Sequence, residues 1–189
     1  MSNISVIEVC ISDRRVGRMA LTPEGVCGFE YEPDWIRNGF SVSPYYLPLN
    51  SGLMIAKRDP FGGNFGVFDD SLPDGWGNLL QDRYLKEKGV DSYKLTVLER
   101  LALSGSIGRG ALEYKPDKSI ASDAEYIAFD RLAKEAEKIL ENKESVDSLE
   151  LLYRYGGSSG GARPKVFVKM EGREWLVKFK ATTDPDDVG

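Results

Sequence analysis

The first thirty residues alternate between short apolar runs and polar turns. Apolar side chains cluster at residues 4–11, 16–21 and 26–31, and many of them are β-branched. Asp13-Arg14-Arg15 and Pro23-Glu24-Gly25 separate the runs with residues that favour turns. The pattern predicts three short antiparallel strands that form a small barrel or a curled sheet.

The next long segment has the three-to-four-residue apolar spacing of a helix. Trp76, Leu80 and Tyr84 recur on one helical face, and Gly89 supplies a stop signal. Ser71 is predicted to cap the start of this helix, with Pro73 and Asp74 in its first turn.

Two further helices are predicted, over about residues 92–103 and 123–142. The second carries an apolar stripe and a charged run that we expect to face solvent. That run is Lys134, Glu135, Glu137 and Lys138. A short strand is predicted at residues 111–114.

The chain is predicted to be an α+β protein with two parts. Residues 1–114 form a β-rich subdomain with helices, residues 115–122 form a boundary, and residues 123–189 form the second part. The Lys-Pro-Asp-Lys-Ser stretch at 115–119 marks the boundary because such polar, proline-containing segments commonly separate domains.

A glycine-rich loop precedes the last predicted hairpin. Residues 156–165 read GGSSGGARPK, and apolar runs at 166–170 and 175–179 flank the turn Glu171-Gly172. Glycines let a backbone approach a ligand closely, and convergent N–H groups can bind an anion. The spacing is not that of a P-loop, since Ala162-Arg163 follows the second glycine pair. A flexible Gly/Ser linker before an ordinary hairpin is the alternative interpretation.

The amino-acid composition excludes several classes of catalytic and binding site. The 189 residues contain no histidine, which excludes Ser-His-Asp, Cys-His and histidine–zinc sites within the chain. Cys10 and Cys27 are predicted to be buried thiols of a cytoplasmic protein, and no metal site is predicted. Asp69, Asp70 and Asp74 are assigned to helix capping and solvation. The net charge of -5 argues against a broad nucleic-acid-binding face, and no apolar run approaches the roughly 18 residues of a membrane span.

Four stretches together resemble HipA-type proteins, the serine/threonine kinase toxins of bacterial toxin–antitoxin modules. They are GVFDDSLPDGWG at 66–77, GRGALEY at 108–114, the glycine loop at 156–165 and WLVKF at 175–179. They occur in the family's order and extend over nearly the whole chain.

The resemblance implies roles for individual residues. Lys178 corresponds to the strand lysine that pairs with the ATP phosphates, and Gly156, Gly157, Ser159, Gly160 and Gly161 belong to the phosphate loop. Ser158 matches the serine that such kinases autophosphorylate, and Ser159 is the neighbouring alternative. The modification would add about -2 charge and disfavour binding of another polyphosphate.

The resemblance also implies what this chain lacks. A kinase requires a catalytic aspartate and Mg²⁺ ligands, and the eleven residues after Lys178 are too few to supply them. We therefore expect the N-terminal part of a HipA-like kinase, with the start of a kinase-like N-lobe. We expect a complete kinase of this type to bind ATP and Mg²⁺. We expect this part alone to bind neither tightly and to transfer no phosphoryl group.

The expected partner is a helix-turn-helix antitoxin of the HipB type, so that DNA contact would be indirect. A non-catalytic interaction module that restrains a separate kinase lobe or its antitoxin is the alternative function. A small-molecule-binding domain unrelated to kinases is the third. The substrate and the oligomeric state are left open.

Overall fold

A computed structural model describes residues 4–120, 129–141, 149–157 and 160–180. The chain divides into two compact units. The first unit contains the described residues up to 72 together with residues 94–120. The second contains residues 73–93 and the described residues after 120. The helix that begins at Gly75 is therefore part of the second unit, whereas the described chain up to residue 72 and from 94 to 120 belongs to the first. The predicted boundary at residues 115–122 stays a prediction.

The first unit is built on a five-stranded antiparallel sheet with the order β4-β3-β2-β1-β5. The strands are β1 (Val6–Ile11), β2 (Arg14–Leu21), β3 (Cys27–Tyr31), β4 (Met54–Ile55) and β5 (Glu113–Lys115). The three N-terminal strands and the α+β class are confirmed. The sheet is open, so the barrel alternative is wrong. The two-residue β4 was not predicted from the sequence.

The turn between β1 and β2 lies one residue earlier than expected. Ser12 and Asp13 have φ of 47° and 62°, as a tight hairpin turn requires, and Arg14 and Arg15 already belong to β2. Arg15 then forms ion pairs with Glu8 and Glu32, each at 2.7 Å.

The core of the first unit lies on one side of this sheet. Phe29 contacts Tyr31 edge-to-face at 4.9 Å and Phe68 at 5.0 Å between ring centroids. Both cysteines are buried thiols, as predicted, and burial raises the pKa of Cys27 to about 12.

Three helices of the first unit are short. They are α1 (Pro33–Asn38), α2 (Gly66–Asp69) and α4 (Val97–Ser104). The helix predicted at 92–103 is a 3-10 turn at Ser92–Lys94 followed by α4, because Thr96 and Glu99 form a capping box that starts a new helix.

The predicted cap at Ser71 is wrong. The long helix α3 (Gly75–Glu87) begins four residues later, after Asp74. The Ser71 hydroxyl instead accepts a hydrogen bond from the Tyr114 hydroxyl at 2.7 Å, within the first unit.

The second unit consists of helices and a hairpin. Its helices are α3, α5 (Phe129–Leu140) and α6 (Leu149–Gly156). Its hairpin is formed by β6 (Lys165–Met170), which pairs with β7 (Arg173–Lys178). Tyr84 of α3 stacks on Tyr153 of α6 at 4.8 Å, and Arg83 donates to the Ile139 carbonyl at 2.9 Å. These contacts join the three helices.

The charged run of α5 is not wholly solvated. Glu135 is only 8% exposed, whereas Lys134, Glu137 and Lys138 are exposed. The Glu135 carboxylate accepts a hydrogen bond from Lys138 at 2.7 Å, which offsets part of the cost of burying the charge. None of the helices among the described residues has the length and apolar content needed to span a bilayer.

Candidate functional site

The glycine-rich loop is anchored on the first turn of α3. The Trp76 backbone N–H donates to the Gly161 carbonyl at 3.0 Å, and its indole Nε1–H donates to the Lys165 carbonyl at 3.0 Å. Trp76 itself is almost fully buried. The first N–H groups of a helix have no partner within the helix. Here the loop supplies a partner for the Trp76 N–H, so the start of the helix and the loop stabilise each other.

Asp74 makes a third contact with the loop. Its carboxylate accepts a hydrogen bond from the Gly161 backbone N–H. Asp74 occupies the residue before α3, yet its side chain makes no capping bond to that helix. The predicted capping role of Asp74 is therefore wrong, and its side chain contacts the glycine loop instead.

Two glycines permit this close packing. Gly75 has φ of 40°, and a Cβ added there would lie 2.7 Å from the carbonyl carbon of Gly161. A Cβ at Gly156 would lie 2.7 Å from the Lys165 carbonyl oxygen. Both distances are too short for a real side chain, so the described part of the loop is packed rather than a free linker.

The Lys165 side chain binds back to the glycine loop that precedes it. Its Nζ donates to the Gly160 carbonyl at 2.5 Å and to the Gly161 carbonyl at 3.2 Å, and the residue is only 6% exposed. Burial lowers the pKa of Lys165, and the neighbouring ammonium of Lys178 lowers it further. The Asp74 carboxylate acts in the opposite direction.

Lys165 and Lys178 form a lysine pair on one face of the hairpin. They are directly opposite in the register of β6 and β7, and Phe167 and Leu176 are the next opposed pair on the same face. Lys178 is exposed and Leu176 is 46% exposed. The face therefore carries one exposed and one buried cation at the loop end, with an apolar surface beside them.

The structure brings most of the predicted site residues together. Gly156, predicted as a loop residue, is instead the last residue of α6, and Gly157 follows it. The Gly160 and Gly161 carbonyls bind Lys165, and Lys178 faces Lys165 across the hairpin. Ser158 and Ser159 lie outside the described residues. Lys165 and Asp74 were not predicted as site residues. Lys165 was within reach of the sequence, since a turn at Glu171-Gly172 places it opposite Lys178.

Metal ligation has no support in the described ranges, where no three Cys, Asp or Glu side chains group closely enough to hold an ion. The site consists of a constrained glycine loop and cationic side chains. Backbone N–H groups and lysines are ligands for oxyanions.

Comparison with known families addresses the first part of the chain. A model described as the HipA N-terminal domain matches residues 7–115, which is more than half of the chain. The chain belongs to the HipA N-terminal domain family. The match includes the sheet of the first unit and the sequence of α3, and it ends before the glycine loop. It places the protein in a toxin–antitoxin context. A search of curated proteins found no match.

The close approach at Gly75 predicts a position-specific loss of stability in this HipA-type chain. Gly75→Ala should lower the free energy of unfolding of the second unit by about 1–3 kcal/mol more than Gly89→Ala. Gly89 is the matched control, because it also has positive φ but nothing lies within 4 Å of an added Cβ. Urea titration followed by the Trp76 indole signal measures the difference. Equal losses in the two variants would contradict the packing described here.

The lysine pair predicts the direction in which the pKa of Lys165 changes in two variants. The Lys165 ammonium should titrate below the ordinary lysine value in side-chain NMR, because burial and Lys178 both disfavour its charge. Lys178→Met should raise the pKa of Lys165, and Asp74→Asn should lower it. The folded chain binds this proton less tightly than the unfolded chain, so stability should rise as pH increases through the folded pKa of Lys165. A Lys165 pKa unchanged in Lys178→Met would show that the two ammoniums do not interact.

Proposed function

We propose that this chain carries the phosphate-binding part of the nucleotide site of a HipA-type serine/threonine kinase. The observation that supports this most strongly is the pair of opposed lysines beside an anchored glycine loop. In the proposal Lys178 contacts the phosphates of ATP. Gly156, Gly157, Ser159, Gly160 and Gly161 form the loop that covers them.

The electrostatics of the hairpin favour an anionic ligand. Two like charges directly opposite each other in a sheet are destabilising, and one of this pair is also buried. A polyphosphate between the ammoniums converts that repulsion into two attractions. Costly charge arrangements of this kind are commoner at functional sites than elsewhere.

The apolar pair beside the lysines favours a nucleotide over a simple phosphate. Phe167 and Leu176 continue the same face of the hairpin away from the loop. A nucleotide needs a cationic contact for its phosphates and an apolar contact for its base, at neighbouring positions. The hairpin face offers both in that order.

The rest of the kinase machinery is proposed to lie outside residues 1–189. Phosphoryl transfer requires a catalytic aspartate and side chains that hold Mg²⁺ against the phosphates. In the proposal this chain binds phosphates weakly by itself and transfers none. Ser158, or alternatively Ser159, is the proposed self-phosphorylation site, where about -2 charge would oppose the binding of ATP.

A second candidate function is an interaction module, and exposed apolar side chains in the first unit favour it. Tyr45 is 95% exposed, and Phe40, Tyr46, Leu53 and Ile55 are also exposed. Aromatic side chains are enriched where proteins contact partners. The proposed partner is a helix-turn-helix antitoxin of the HipB type, which alone would contact DNA. The proposed location of the complex is the cytoplasm.

Nucleotide titration tests the first candidate. In a longer chain that includes the kinase lobe, Lys178→Ala should weaken Mg-ATP binding by roughly 10- to 100-fold, because charged hydrogen bonds are lost. Lys169→Ala is the matched control, since it removes an exposed lysine from the same hairpin face. Isothermal titration calorimetry gives both affinities. Equal affinities would remove Lys178 from the proposed role.

Antitoxin binding tests the second candidate. Replacing Tyr45 and Tyr46 together by serine should weaken binding to a helix-turn-helix antitoxin of the HipB type by about tenfold or more. Tyr93→Ser is the control, since Tyr93 is 92% exposed and distant in sequence. Unchanged affinity in the double variant would exclude this surface, and the same loss in the control would show that the effect is not specific.

A further inference from the structure

The Gly161 amide of the glycine loop has an anionic partner in the chain itself. The Gly161 N–H donates to the Asp74 carboxylate, although the two residues are 87 positions apart. Gly161 has φ of 82°, a conformation that orients its N–H differently from that of an ordinary extended residue. A backbone N–H held in a glycine loop is the type of donor that binds phosphate oxygens.

Asp74 also acts on the cation of the same loop. Its charge raises the pKa of Lys165, against the lowering caused by burial and by Lys178. Lys165 itself donates to the carbonyls of Gly160 and Gly161. One carboxylate, one loop amide and one buried ammonium therefore form a single electrostatic cluster.

The carboxylate is not required by its own helix. Asp74 makes no side-chain capping bond to α3, and the helix is already joined to the loop by the Trp76 backbone N–H at 3.0 Å. The side chain instead accepts from the Gly161 N–H, which is the type of donor that an oxyanion binds. A ligand oxygen and a carboxylate oxygen cannot both occupy that position at the amide.

We infer that Asp74 is a built-in competitor for the phosphate group, which occupies the Gly161 amide until a phosphate displaces it. The inference rests on the proposed function, and it adds a residue that regulates the same site. In the ligand-free chain the carboxylate satisfies the amide and offsets the charge of Lys165. A phosphate carries more negative charge and replaces it at the Gly161 amide, since Lys165 and Lys178 attract the higher charge more strongly.

The inference predicts that removing the carboxylate strengthens binding. The apparent affinity for a ligand falls by the fraction of molecules in which its site is open. With one charge-assisted hydrogen bond to break, the expected gain is on the order of tenfold. Asp74→Asn removes the charge and keeps an acceptor, whereas Asp74→Ala removes both, so the expected order of affinities is Asp74→Ala, then Asp74→Asn, then the native chain.

The experiment is an NMR titration of this chain with inorganic pyrophosphate, followed at the Gly161 amide. Asp91→Asn is the matched control, because Asp91 also precedes a helical turn and accepts a backbone N–H, that of Tyr93 at 3.1 Å. Lys178→Ala is included to test the proposed function independently. The Trp76 indole signal reports whether the loop remains docked on α3 in each variant.

Tighter pyrophosphate binding in both Asp74 variants, with native affinity in Asp91→Asn, is the expected result. Binding that depends on Lys178 but is unchanged or weaker in the Asp74 variants would overturn this inference and leave the proposed function standing. A shift of the Trp76 indole signal away from its native position in both Asp74 variants would show that Asp74 is a structural anchor. That result would also overturn the inference. No saturable binding in any variant would overturn both proposals.

Discussion

The second unit depends on the hydrogen bonds that join the start of α3 to the glycine loop. A helix start leaves N–H groups without partners, and a glycine loop has backbone groups that its own turn cannot satisfy. Trp76 satisfies groups on both sides, because its backbone N–H donates to the Gly161 carbonyl and its indole N–H donates to the Lys165 carbonyl. The beginning of β6 is therefore fixed against α3, and the turn at Glu171-Gly172 sets the register that places Lys165 opposite Lys178.

That register gives the hairpin its chemical character. A shift of one residue would move a lysine to the other face and separate the two ammoniums. With the observed pairing, the loop, the cations and the apolar pair Phe167 and Leu176 follow one another along one face. The HipA N-terminal domain match covers the first unit and the α3 sequence. The phosphate-binding interpretation rests instead on the geometry of the loop and the hairpin.

Local sequence patterns predicted the elements of this chain better than its long-range contacts. The three N-terminal strands, the hairpin and the helical stripe of α5 follow from apolar spacing, which depends only on neighbouring residues. The bond between Asp74 and Gly161 joins residues 87 positions apart, so no local pattern reveals it. Ser71 looked like a cap because serine favours helix starts, but Tyr114 binds its hydroxyl. Glu135 looked solvated because its neighbours are charged, yet the fold buries it.

The most direct measurement of the central claim is hydrogen exchange at the Trp76 backbone amide. This N–H lies in the first turn of α3, where an isolated helix offers no acceptor and exchange is fast. If the loop is anchored as described, the Trp76 amide should be protected to the same extent as amides in the middle of α3. Exchange at the rate of an unprotected amide, with the rest of α3 still protected, would contradict the account.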